Sequence, residues 1–101
     1  MIDSKVIHRK LRLLNSSACD LEVWLEWEVL TQYKIAPGQQ FFVHALTCDF
    51  QITQGAEPEW SIFVDAVNNA ISVYMPGELR LAEDFYLTDC ETFERIAPKV
   101  I

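Results

Sequence analysis

His44 and Cys48 stand four residues apart, both at even positions of a stretch that reads as strand. Imidazole and thiolate are zinc ligands, and Cys19 or Asp49 would extend the set. The spacing argues against a site. Zinc takes its ligands in close pairs such as Cys-x₂-Cys, whereas i and i+4 on a strand lie roughly 13 Å apart. A cupredoxin-like copper centre needs a cysteine with a histidine just downstream and an axial methionine. No histidine follows Cys90.

Cys48 or Cys90 with His8 or His44 supplies a thiol and a base, the minimum for nucleophilic catalysis. Structural roles explain these residues better. His44 lies between Phe42 and Leu46 on one strand face, where a buried, hydrogen-bonded histidine is expected. His8 has a prospective partner in Glu26. There is no Gly-x-Ser-x-Gly elbow and no phosphate-cradling glycine loop. Glu83 with Asp84, and Asp89 with Glu91, set carboxylates near one another as acid–base chemistry requires; a solvated charge cluster is the commoner meaning of such pairs. Trp24, Trp27 and Trp60 would stack on a sugar, but parity turns Trp27 and Trp60 inward and leaves Trp24 alone. The expectation is therefore no catalytic residue, no metal and no cofactor.

The elements that carry these residues read as strands. Across residues 21–29 every odd position is apolar: Leu21, Val23, Leu25, Trp27 and Val29. Even positions are Glu22, Trp24, Glu26 and Glu28. Period two means one buried and one wet face, with Trp24 anomalous on the wet one. Further strands are expected at about 5–14, 31–36, 39–47, 49–54, 60–66 and 71–75, and from Leu79 through Phe85 to about Leu87. Pro37-Gly38 suits a type II turn, and Asn68-Asn69 a tight turn, because Asn tolerates positive φ. Pro76-Gly77 marks another turn. Thr88 and Glu91 resemble a capping box, which leaves 89–96 open to one or two helical turns.

The loop at 15–20 invites an antiparallel hairpin between the first two strands. Its register would set Arg12 against Glu22, Lys10 against Trp24 and His8 against Glu26, each pair worth about 0.2–1 kcal/mol. The expected core is Leu21, Val23, Leu25, Trp27, Ile62, Val64, Ile71 and Val73. The fold class is all-β: an antiparallel β-sandwich, immunoglobulin-like or jelly-roll-like, of seven or eight short strands in a single domain over residues 1–101.

Length and composition fit that reading. A chain of 101 residues, half of them hydrophobic, can bury a core without staples. Net charge is −7 and unevenly placed. Residues 1–12 have a balance of +3, and the remaining 89 a balance of −10. Such a surface repels phosphate backbones and anionic membranes. Nucleic acid and membrane are thus unexpected partners, and a basic protein is a compatible one. The three unpaired cysteines, and a start without a signal peptide's apolar region, imply a cytoplasmic protein with reduced thiols.

Asn15-Ser16-Ser17, Trp24-Leu25-Glu26-Trp27 and Ile35-Ala36-Pro37-Gly38-Gln39 follow one another in an order that resembles a family of small uncharacterised bacterial β-sandwich proteins. Ile71-Ser72-Val73-Tyr74 is also similar. Those relatives carry Pro and Gly around the tryptophan, where this chain has Trp27-Glu28-Val29. The resemblance implies a fold and no activity. Together these features describe a non-enzymatic protein-interaction module. Its candidate interface is Trp24 with Glu22 and Glu26, extended by Phe42 and Leu46 if their strand lies in the same sheet, and a homodimer is the simplest assembly. The alternatives are an acidic immunity-type inhibitor of a basic toxin or nuclease and, from another class, a small thiol- or metal-dependent hydrolase.

Overall fold

The computed structural model describes residues 5–26, 30–49, 60–74, 78–79 and 82–99. Among these, the chain forms β1 (Lys5–Leu14), β2 (Leu21–Glu26), β3 (Thr31–Ile35), β4 (Gln40–Asp49), β5 (Ser61–Asp65), β6 (Ala70–Tyr74), β7 (Glu78–Leu79) and β8 (Phe85–Asp89), with one 3-10 turn at Ala82–Asp84. The strands build two sheets. In the first, β4 pairs with β1 on one side and with β7 and β8 on the other. In the second, the order is β3-β2-β6-β5. The expected all-antiparallel pairing holds except between β2 and β6, which are parallel. The described strands do not close into a barrel, and no helix among the described residues is long and apolar enough to cross a membrane.

The core is shared between the sheets. Val23, Leu25, Tyr33, Ile35 and Val73 come from one; Phe41, Val43, Ala45, Phe85 and Leu87 come from the other. Val23, Leu25 and Val73 are buried as their alternation predicts, and Leu21 and Ile71 pack partly buried against them. Ile62 and Val64 do not belong to the core: they are 38 % and 74 % exposed. They stand in register with Val73 and Ile71 on the inner face, but β5 is the outermost of the described strands in its sheet, and burial falls off toward that edge. Trp27, the Pro76-Gly77 turn and the segment 50–54 lie outside the described residues.

The hairpin expected between the first two strands does not form. β1 pairs with β4 along its whole length, so Lys10 faces His44 and Arg12 faces Phe42; β2 belongs to the other sheet. Magnitudes explain the outcome. Cross-strand pairs of the hairpin offered about 0.2–1 kcal/mol each, whereas burying one Leu or Val side chain contributes about 1.5–3 kcal/mol. Placing β1 and β2 in opposite sheets lets both bury an apolar face in one core.

Local turn chemistry makes the crossing possible. Asn15, 2 % exposed, donates through Nδ2 to the carbonyls of Cys19 and Ile35 and accepts at Oδ1 from the Ser17 N–H and hydroxyl. Gly38 takes the positive φ of 78° that the type II turn requires, and the Gln39 N–H donates to the Ala36 carbonyl. Asn69 adopts φ 49° in the β5–β6 turn.

The C-terminal part differs from expectation twice. The strand read from Leu79 onward is interrupted by the 3-10 turn at Ala82–Asp84. Residues 89–96 are not helical. The Asp89 carboxylate, rather than Thr88, accepts from the Glu91 and Thr92 N–H groups. Phe93 then turns left-handed at φ 61° and donates its N–H to the Asp89 carbonyl. The chain folds back so that Arg95 bridges to Thr88 and the Ile96 N–H reaches the Leu87 carbonyl.

Candidate functional site

The two sheets turn their outer faces in opposite directions, and the interface residues singled out by sequence are divided between them. Glu22, Trp24 and Glu26 share the outer face of the second sheet. Phe42 and Leu46 lie on β4, in the first sheet, so they do not extend the Trp24 patch. Trp24 is half-buried between Gln32 on β3 and Ser72 on β6. Glu26 lies opposite Tyr74, and its carboxylate accepts from the Tyr74 hydroxyl, which raises the phenol's pKa above its usual value. The other Glu26 oxygen, Oε2, is buried without a hydrogen-bond partner. Lys34 on the same face is held by Asp20 at 3.2 Å.

The first sheet's outer face carries a row of rings that crosses the strands. His8 on β1 stacks on His44 of β4 with centroids 5.0 Å apart. His44 stacks on Tyr86 of β8 at 4.7 Å, and the Arg95 guanidinium covers the far side of Tyr86 at 3.9 Å. These spacings match the separation of paired strands, about 4.7–4.9 Å, so the sheet itself sets the stack. Lys10 Nζ lies 4.5 Å from the Phe42 ring centroid. It is not the neighbour of Trp24, and His8 is not the neighbour of Glu26. Arg12 donates to the Gln40 amide oxygen.

Within the row, His8 Nε2 is 2.8 Å from His44 Nδ1, and His44 Nε2 is 2.6 Å from Thr88 Oγ1. Hydroxyl, imidazole and second imidazole thus line up like a nucleophile, its base and an orienting group. Spacing along the sequence did not point to Thr88; only the β4–β8 pairing brings it beside His44. Burial, reinforced by neighbouring His8, Lys10 and Arg95, lowers the His44 pKa to about 4. The orienting group carries no negative charge, and Thr88 is itself only 9 % exposed. His44 is buried, with a hydrogen-bond partner at each ring nitrogen.

Beside this row an open cleft of about 440 Å³ is lined by Tyr33, Phe85, Tyr86, Arg95, Ile96 and Pro98, with Glu83 at the same cleft. Burial raises the Tyr33 pKa, and Arg95 pulls the other way. Cys19 and Cys90 are free thiols. No group of three or more metal-ligating side chains converges among the described residues.

The most exposed apolar surface lies elsewhere. All five residues of β5 are exposed, with Phe63 at 63 % and Val64 at 74 %, and Val67 in the following turn at 94 %. Phe63 packs edge-to-face on Tyr74 at 5.2 Å. Parity alone assigned Ile62 and Val64 to the core; their place at a sheet edge depends on the order of the strands. No family model, no curated protein and no solved structure matches this chain.

Proposed function

We propose that this chain is a non-enzymatic protein-interaction module that self-associates through the outer edge of β5. The two sheets, which share one core, are read as a β-sandwich of immunoglobulin-like or jelly-roll-like type, as the likeness of residues 13–45 to small bacterial β-sandwich proteins suggests. Free Cys19 and Cys90 support a reducing, cytoplasmic setting.

The exposure of β5 carries the reading. Edge strands are ordinarily blunted by lysine, proline, bulges or a covering segment. β5 reads Ser-Ile-Phe-Val-Asp, with neither lysine nor proline, and among the described strands it pairs only with β6. The segment is complementary to itself. In an antiparallel pair centred on Phe63, Ile62 meets Val64 of a second copy and Ser61 meets Asp65, so the acidic side chains stay apart. Two four-stranded sheets then become one continuous sheet about a two-fold axis.

Sedimentation velocity of wild type and Val64→Lys at matched concentrations tests this. In 1 M sodium chloride the wild type is expected to dimerise with rising concentration, and Val64→Lys to stay monomeric with an unchanged circular dichroism spectrum. A wild type that is monomeric throughout, or a variant that dimerises equally well, overturns the reading.

A further inference from the structure

We propose that the outer face of the first sheet docks on the outer face of the second sheet of another copy, in a head-to-tail contact separate from the β5 edge. The inference rests on self-association as the chain's role but uses different surfaces.

The first sheet's outer face is cationic. His8, Lys10 and Arg12 occupy alternate positions of β1, and all three are exposed, as is Arg95. Lys10, Arg12 and Arg95 meet neutral partners: the Phe42 ring for Lys10, the Gln40 amide for Arg12 and the Tyr86 ring for Arg95. Among the described residues, none of the three makes an ion pair with a carboxylate; Glu83 lines the same cleft as Arg95. Lys10 and Arg95 both place positive charge near His44.

The second sheet's outer face is acidic and aromatic. Glu22, Trp24 and Glu26 occupy alternate positions of β2, Asp65 lies on the same face of β5, and Lys34 is already taken by Asp20. Alternate positions on any strand are about 6.6–6.8 Å apart. The row His8, Lys10, Arg12 therefore matches the row Glu26, Trp24, Glu22 residue for residue: Arg12 on the Glu22 carboxylate at one end, lysine on indole in the middle, and the His8 ring over Glu26, whose carboxylate already accepts from Tyr74, at the other. The fold keeps these rows apart by assigning β1 and β2 to different sheets with outer faces turned away from each other. Only another copy can bring them together.

Charge also fixes the symmetry. Either face against its own like would oppose equal charges, so the contact joins unlike faces and is heterologous. Nucleic acid is the poorer occupant of the basic face. The ring planes of His44 and Tyr86 are covered on both sides by neighbours in the stack, which leaves bases little to stack on.

The test uses the full chain carrying Val64→Lys, so that the edge contact is removed. In that background, assemblies larger than the monomer are expected at 0.1 M salt and are lost at 1 M, where the Debye length falls from about 10 to 3 Å. Lys10→Glu/Arg12→Glu and Glu22→Lys/Glu26→Lys should each be monomeric, and equimolar mixing of the two should restore assembly. Glu22→Lys alone serves if the double acidic variant fails to fold. Absence of assembly in the parent, or no recovery on mixing, overturns the proposal. So does retention of a single-stranded oligonucleotide by the parent that Lys10→Glu/Arg12→Glu abolishes. If Val64→Lys alone changes nothing in the wild type, the β5 reading falls and this one stands.

Discussion

His44 has two hydrogen-bonding neighbours and, when neutral, one ring proton, so it donates to one and accepts from the other. Protonation would break the accepting side and add a charge beside Lys10 and Arg95. An unfolded histidine titrates near 6.5, whereas this one titrates at about 4. The unfolded chain therefore binds a proton that the folded chain refuses, and stability falls as pH drops from 6.5 toward 4. The loss is bounded at about 3 kcal/mol and flattens below the folded value. Asp65 and Asp89, both held below the usual carboxylate range by hydrogen bonds, lose their contributions at lower pH, so the windows separate. Urea midpoints of wild type and His44→Gln should converge between pH 7 and pH 4.5; parallel slopes would show that His44 titrates normally. Leu25, 1 % exposed, gives the matching packing measure: Leu25→Ala should cost about 2–5 kcal/mol by chemical denaturation.

At the scale of elements, Asn15 decides where the chain goes after β1. Its amide fills both donor and both acceptor positions with the carbonyls of Cys19 and Ile35 and with Ser17. The β1–β2 loop is thereby tied to the end of β3, and β2 is delivered to the opposite sheet. Asn15→Ala strands the Ile35 carbonyl in a buried site and should cost about 2–4 kcal/mol in a urea titration; a loss under 0.5 kcal/mol would mean the loop holds its course without it. This element also shows what the sequence could and could not disclose. Alternation located β1, β3, β4, β5 and β6 within a residue or two, and the start of β2 at Leu21, because period two is a local property of which side chains face water. Strand partners are not local. The charge pattern of β1 and β2 is complementary, and pairing them was the natural inference, but burying two apolar faces outweighed it. The same non-local choice placed β5 at an edge and exposed Val64, and it divided Trp24 from Phe42. At 89–96, the acceptor Asp89 was adjacent to the Thr88 cap that the sequence suggested, and Phe93 at φ 61° closed a turn where a helix needs negative φ.

For the whole molecule, the two proposed contacts set two kinds of attraction against one repulsion, and salt separates them. Each copy carries a net −7, so any association crowds like charge. Pairing of β5 edges buries Phe63, Val64 and their apolar neighbours, and the contact itself holds little charge beyond the two Asp65 carboxylates. Salt screens the net repulsion without weakening that burial. Face-to-face docking draws on Lys10, Arg12, Glu22 and Glu26, whose attraction salt screens directly. The two contacts should therefore answer in opposite directions. Association of Lys10→Glu/Arg12→Glu, which retains only the edge, is expected to strengthen from 0.05 to 1 M sodium chloride. Association of Val64→Lys, which retains only the faces, is expected to weaken over the same range. Wild type should lose its largest assemblies first and keep its dimer. Weight-average mass from sedimentation equilibrium across that series reads both effects, and a common direction for the two variants would mean that one surface, not two, accounts for self-association.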